Sequence, residues 1–83
     1  MDQQVEREVI VYSTPTCPWC QVAKRYLEGR GIAYTEVDVS ADHQAAMEMV
    51  RRTGQQGVPV IEIDGEFVIG FDRARIDALL GLS

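Results

Sequence analysis

Two cysteines, Cys17 and Cys20, stand three residues apart where an apolar run gives way to a helical pattern. The run Glu8-Val9-Ile10-Val11-Tyr12-Ser13 is short, β-prone and nearly continuously apolar, as a buried strand is. Thr14-Pro15-Thr16 breaks it. From Pro18 to Arg30, Val22, Ala23, Tyr26 and Leu27 fall on one helical face. Pro18 suits a first helical position, where its missing N–H costs nothing, and Gly31 suits a left-handed helix end. Ala33-Tyr34-Thr35-Glu36-Val37-Asp38-Val39 then alternates as a second strand. Strand, helix and strand in this span predict a parallel pair joined by a right-handed crossover. The cysteines therefore sit at a strand-to-helix join.

The rest of the chain completes an α/β fold. Ser40 or Asp42 can cap a second helix reaching about Thr53, with Ala46, Met49 and Val50 inward and Gly54 at its end. Val58 to Ile63 and Glu66 to Ile69 read as strands separated by Asp64-Gly65. Both loop positions tolerate positive φ, which makes this a strong hairpin signal. Asp72 can cap a last helix whose inward residues are Ile76, Leu79 and Leu80. The predicted order is βαβαββα, a four-stranded mixed sheet flanked by three helices. The 83 residues are read as a single domain, 1–83, with a core from about 9 to 80. A chain of this size buries roughly 60–65% of the surface that its unfolded form exposes, so one modest core is expected.

Composition narrows the partners. At 46% apolar and 25% charged residues, the chain is neither disordered nor of low complexity. Its apolar runs fall far short of the ~20 residues needed to span a bilayer. Net charge is −5, from 8 basic and 13 acidic residues, and the basic ones are scattered. Affinity for nucleic acid or an anionic membrane needs clustered Lys and Arg, so neither is an expected partner. The first eight residues are polar and mixed in charge, with no basic segment leading into an apolar one. No signal peptide is read there, and the expected location is cytoplasmic. The expected state is a monomer.

The cysteines carry the chemistry. A small secreted fold would usually hold four or more, and a loop closed between neighbours three apart stabilises little. A helix N-terminus instead offers unpaired N–H groups and roughly half a positive charge. A thiolate at Cys17 is stabilised by that field, which makes Cys17 the expected nucleophile. Cys20, one turn along the same face and less exposed, is the expected resolving thiol. Tetrahedral zinc wants two more N or S ligands, and His43, at a predicted helix start, reads as a surface residue, so no metal is expected. Lys24 either adds positive potential or is a solvated helix lysine. Val58-Pro59 is either a simple strand start or a cis-proline turn against the site, where Val58 backbone groups could pair with a docked peptide. Trp19 is either a contact surface for a partner or a ring partly buried against the domain. A C-x-x-C pair after a strand, opening a helix within a βαβ unit, is the context of a thioredoxin-like redox motif.

At this point the chain resembles a glutaredoxin, from about Val9 to Leu80. The resemblance rests on Tyr12-Ser13-Thr14-Pro15-Thr16-Cys17-Pro18-Trp19-Cys20, on Gly57-Val58-Pro59, on Gly70-Phe71-Asp72 and on the element order. It implies a thioredoxin-like fold, a cis peptide at Val58-Pro59 and an enzyme, a dithiol–disulfide oxidoreductase with catalytic Cys17 and Cys20. Around them it implies a site for substrate or glutathione built from Thr16, Trp19, Gln56, Val58, Pro59, Gly70, Phe71 and Asp72. No bound cofactor is implied; glutathione is a candidate co-substrate. Implied substrates are protein disulfides or glutathione mixed disulfides, with thioredoxin reductase and ribonucleotide reductase as candidate protein partners. An alternative that the resemblance leaves open is an iron–sulfur cluster carrier bridging two protomers through Cys17. Pro18 and the competing Cys20 argue against it.

The chain departs from the family pattern at three places. Thr14 stands where glutaredoxins commonly have a lysine for the glycine carboxylate of glutathione. Gly57 replaces a threonine before Val-Pro. Gly70-Phe71-Asp72-Arg73 replaces a Gly-Gly pair followed by acidic residues. Arg73 or Arg52 is the candidate to take over from the lysine. The Gly-Phe pairing is similar to glutaredoxin-like redoxins reduced by thioredoxin reductase.

Overall fold

The computed structural model describes residues 8–82, so the polar start read from residues 1–7 lies outside the described residues. Seven elements follow in the expected order. They are β1 (Val9–Ser13), α1 (Pro18–Gly29), β2 (Thr35–Asp38), α2 (His43–Thr53), β3 (Val60–Ile63), β4 (Glu66–Ile69) and α3 (Arg73–Leu80). The strands form one sheet in the order β2-β1-β3-β4. β1 runs parallel to β2 and antiparallel to β3, and β4 closes the edge antiparallel to β3.

A strand covered on both faces is nearly continuously apolar, and β1 is such a strand, with the buried Ser13 at its end as the polar exception. It sends Val9 and Val11 to one side, where Ala23 and Leu27 of α1 and Ile76 and Leu80 of α3 close over Ile61, Ile63 and Val68. It sends Tyr12 to the other side, against Met49 of α2 and Val60, with Ile10, Val37, Val50 and Phe67 around them. Two helices thus seal one face with branched aliphatic side chains. One helix covers the other face, where an aromatic and a thioether do most of the filling.

Caps and turns follow local chemistry. Asp42, and not Ser40, caps α2: its carboxylate accepts the Ala45 N–H at 3.0 Å, while Ser40 donates its hydroxyl to Asp38 at 2.6 Å. Asp72 caps α3 by accepting the Arg75 N–H at 3.3 Å. Asp64 and Gly65 both have positive φ, +50° and +88°, the backbone that a two-residue hairpin loop requires.

The element ends differ from expectation in four places, the first being β1, which begins at Val9 and not Glu8. β3 begins at Val60 and not Val58, because Pro59 has no N–H to give the ladder. Its carbonyl still accepts the Gly70 N–H at 2.8 Å. β2 is shorter than read, although the Val39 N–H continues the pairing to the Ser13 carbonyl at 2.9 Å. α1 ends one residue before Arg30, and Gly31 turns the chain away at a φ of +73°. Among the described residues, no helix is long and apolar enough to cross a membrane.

Candidate active site

β1 delivers the chain to the start of α1, and there Cys17 takes the capping position. Its sulfur does what a capping oxygen usually does, accepting the Cys20 N–H at 3.1 Å. The Cys17 thiol also donates toward the Val58 carbonyl at 3.7 Å, a contact between residues 41 apart in the chain. Cys17 is half-buried, and both cysteines are free thiols.

Cys20 lies in the first turn of α1 and is 0% exposed. Burial pushes its thiol up to about 11, and the hydrogen bond with Cys17 adds to the rise. A backbone hydrogen bond from Thr14 and the charge of Lys24 work the other way. The two sulfurs therefore differ in access and in environment, although one helical turn separates them.

The far end of the chain supplies the surroundings. The Val58-Pro59 peptide is cis, and the Val58 carbonyl faces Cys17. Gly70 holds a φ of +76°, which a side-chain-bearing residue there would adopt only with strain, and Phe71 follows it. The Phe71 ring stacks on Trp19, with centroids 6.3 Å apart and planes 23° apart. Tyr26 meets the same ring edge-on at 5.6 Å. Trp19 remains 61% exposed, so its ring adjoins the domain without being buried in it.

The structure does not gather every residue that the sequence pointed to. Thr16 is exposed in the turn before Cys17, and Asp72 spends its carboxylate on capping α3. Gln56 lies with Thr14 along an open hollow beside the start of α2, lined also by Val39, Asp42 and His43. No described hydrogen bond joins Gln56 to either cysteine. Both candidate arginines are engaged elsewhere. Arg52 sits over the Phe67 ring at 4.7 Å and 3.6 Å from Glu62. Arg73 sits over the Tyr26 ring at 5.3 Å and 3.9 Å from Asp77.

The sequence points to Lys24 but not to the partners that gather around it. Lys24 Nζ is 2.6 Å from Glu36 Oε2, and the Ser13 hydroxyl donates to the same oxygen at 2.9 Å. Lys24, then Ser13, hold the Glu36 carboxyl below its ordinary value. The available signal was spacing. Lys24 is four residues after Cys20, and the parallel register sets Glu36 beside Val11, whose side chain faces α1.

A half-buried sulfur capping a helix, a buried sulfur one turn on and the Val58 carbonyl, just before a cis-proline, facing the first sulfur define a thioredoxin-like domain built for thiol–disulfide exchange. The family model described as Glutaredoxin matches residues 9–68, and the chain belongs to the glutaredoxin family of thiol–disulfide oxidoreductases. It is 47% identical over 70 residues to an uncharacterised glutaredoxin-like 8.6 kDa protein in the rubredoxin operon of Clostridium pasteurianum, covering 84% of this chain and 93% of that protein. It is 35% identical over 75 residues to glutaredoxin 3 of Escherichia coli strain K12, covering 89% and 90%. Among solved structures, a point mutant of the thioredoxin-like protein BC3987 superposes with a TM-score of 0.86 at 33% identity, over 92% of this chain and 97% of that one.

Proposed function

We propose that the chain is a dithiol–disulfide oxidoreductase in which Cys17 attacks and Cys20 resolves. The observation that carries this reading is the contrast between the sulfurs: Cys17 is reachable and faces the Cys20 N–H, whereas Cys20 is sealed from solvent. The Cys17 thiolate attacks one sulfur of a substrate disulfide, and the other sulfur leaves as a thiolate. Cys20 then loses its proton and attacks Cys17, which releases the second substrate thiolate and leaves a Cys17–Cys20 disulfide. Two electrons have passed from the protein to the substrate.

Two glutathione thiols, or a flavoprotein reductase of the thioredoxin-reductase type, return them. The substrates are protein disulfides or glutathione mixed disulfides, and no bound cofactor takes part. The Val58 carbonyl and the Trp19–Phe71 surface supply the place where a substrate chain lies against Cys17. The Cys17–Cys20 contact favours this dithiol route over cluster carriage, in which Cys17 would bridge to a second protomer.

Turnover of a small disulfide tests the assignment. Cys17→Ser is expected to lose at least about three orders of magnitude of activity, as removal of a nucleophile does. Cys20→Ser is expected to accumulate mixed disulfides visible by mass spectrometry. Full activity in Cys17→Ser would overturn the reading. Reducing the oxidised protein with glutathione alone, and with thioredoxin reductase plus NADPH, identifies the electron donor.

A further inference from the structure

The proposed cycle asks a buried thiol to ionise. Cys20 is 0% exposed, and in the free dithiol burial first, then Cys17, push its thiol up to about 11; the burial persists when Cys17 is held in a mixed disulfide, so the Cys20 thiol still resists ionisation in the resolving step. Whatever favours that thiolate governs the second half of the reaction. The groups acting on Cys20 are Cys17 at the helix cap, a backbone hydrogen bond from Thr14, and one cation, Lys24.

Lys24 is placed to act steadily. Residues four apart on a helix are neighbours on one face, so Lys24 stands one turn from Cys20. Its side chain is only 13% exposed. Glu36 on β2 grips its ammonium at 2.6 Å, and Ser13, the fully buried last residue of β1, holds the same carboxylate oxygen at 2.9 Å. A lysine free in solvent would be screened and mobile; this one is fixed between a helix and two strands. Its carboxylate partner also compensates part of its charge.

We propose that Lys24 is a positioning residue for the resolving step: its fixed charge promotes ionisation of Cys20, and Glu36 sets how much of that charge Cys20 experiences. This rests on Cys20 being the resolving thiol. In that step the Cys20 S–H bond loses its proton, the thiolate forms a bond to the Cys17 sulfur, and the bond from Cys17 to the substrate sulfur breaks. The substrate leaves as a thiolate and takes up a proton. Lys24 and Glu36 exchange no atoms with either sulfur.

The size of the effect follows from two opposed trends. Each unit by which Cys20 becomes harder to ionise removes about tenfold of its thiolate at neutral pH. The remaining thiolate is more nucleophilic, with a Brønsted slope of about 0.4–0.5, so the net slowing is about three- to fourfold per unit. A charge change at Lys24 is expected to act on this scale.

A single-turnover experiment with the aromatic disulfide dithiobis-nitrobenzoate separates the two steps. Attack by Cys17 releases one coloured thiolate, and resolution by Cys20 releases a second. In Lys24→Met the first release is expected at its normal rate, and the second slowed about three- to fourfold, with its pH profile moved to higher pH. Lys24→Arg is expected to restore the second release. Glu36→Gln is expected to move it the other way, faster and with the profile at lower pH. A pair with a structural role alone would slow resolution alike in Lys24→Met and Glu36→Gln. That result, or an unchanged second release in Lys24→Met, would overturn the proposal. A wild-type protein that releases only one thiolate overturns the dithiol reading itself, and this one with it.

Discussion

In the β1–α1–β2 unit both sulfurs come from one helical turn, three residues apart, and the Lys24–Glu36 pair lies directly behind them. In the stretch from Val58 through α3, the groups around the site come from separate places: before β3, the Val58 carbonyl that faces Cys17, and after β4, the Phe71 ring stacked on Trp19. The first region holds the reacting atoms in a frame set by local geometry. The second region meets them only because the sheet sets β3 beside β1. In the proposed mechanism, chemistry is thus carried by short-range structure, and recognition by long-range structure. A change in either region should therefore read out differently, unless it strikes the core that the two share.

That shared core gives the largest effect on stability. Leu27 from α1 and Ile76 from α3 are both fully buried in one cluster. Truncating either to Ala is expected to cost about 2–5 kcal/mol, the range for large aliphatics in a closed core. Urea denaturation should show one cooperative transition in both variants, with similarly lowered midpoints. Two transitions in Ile76→Ala, with the β1–α1–β2 unit surviving alone, would break the picture of two regions held by one core.

Phe71→Ala separates the regions more finely. The ring touches Trp19 and Tyr26 but neither sulfur is its partner in any described contact. Stability should fall by about 1–3 kcal/mol, from two aromatic contacts and a half-buried ring. The KM for a protein disulfide should rise severalfold with kcat retained, while turnover of a small disulfide stays near normal. A fall in kcat for the small substrate would show that Phe71 shapes the reacting geometry, and would merge what the comparison keeps apart.

The same division explains what could be read from the sequence. The element order, the hairpin at Asp64-Gly65, the cap at Asp72, the α2 cap narrowed to Ser40 or Asp42, and the C-x-x-C pair at a helix start are all local signals. Each depends on residues within a few positions of one another. The cis peptide at Val58-Pro59 is different: proline makes it accessible, and resemblance to a family, not spacing, pointed to it. The contact of Val58 with Cys17 depends on sheet order, which periodicity does not encode. Lys24 was noticed as a charge near Cys20, but its partner Glu36 was not, because that pair depends on how a strand and a helix meet. Gln56 belongs to the site only through the family resemblance. It lines an open hollow with Thr14 and residues at the start of α2.

The smallest effect is expected at one side-chain hydrogen bond that supplements the β1–β3 ladder between the two regions. The Tyr12 hydroxyl at the end of β1 donates to Glu62 Oε1 of β3 at 3.1 Å, and Arg52 stands 3.6 Å from the other carboxylate oxygen. Burial first, then Glu62, raise the Tyr12 phenol above its ordinary value of 10.0. A phenol raised on folding keeps its proton more tightly in the folded chain. Its contribution to stability is therefore complete below pH 10 and is lost as pH climbs through the raised value. Tyr12→Phe removes the hydroxyl but leaves Glu62 its arginine, so the cost near neutrality is expected to be about 1 kcal/mol. Urea midpoints taken from neutral pH upward should show wild type losing that advantage once the solution passes about pH 10, with the two curves converging. A gap that stays constant through the alkaline limb would mean that Tyr12 acts by packing against Met49 and Val60 alone, and that the hydroxyl does nothing to tie β1 to β3.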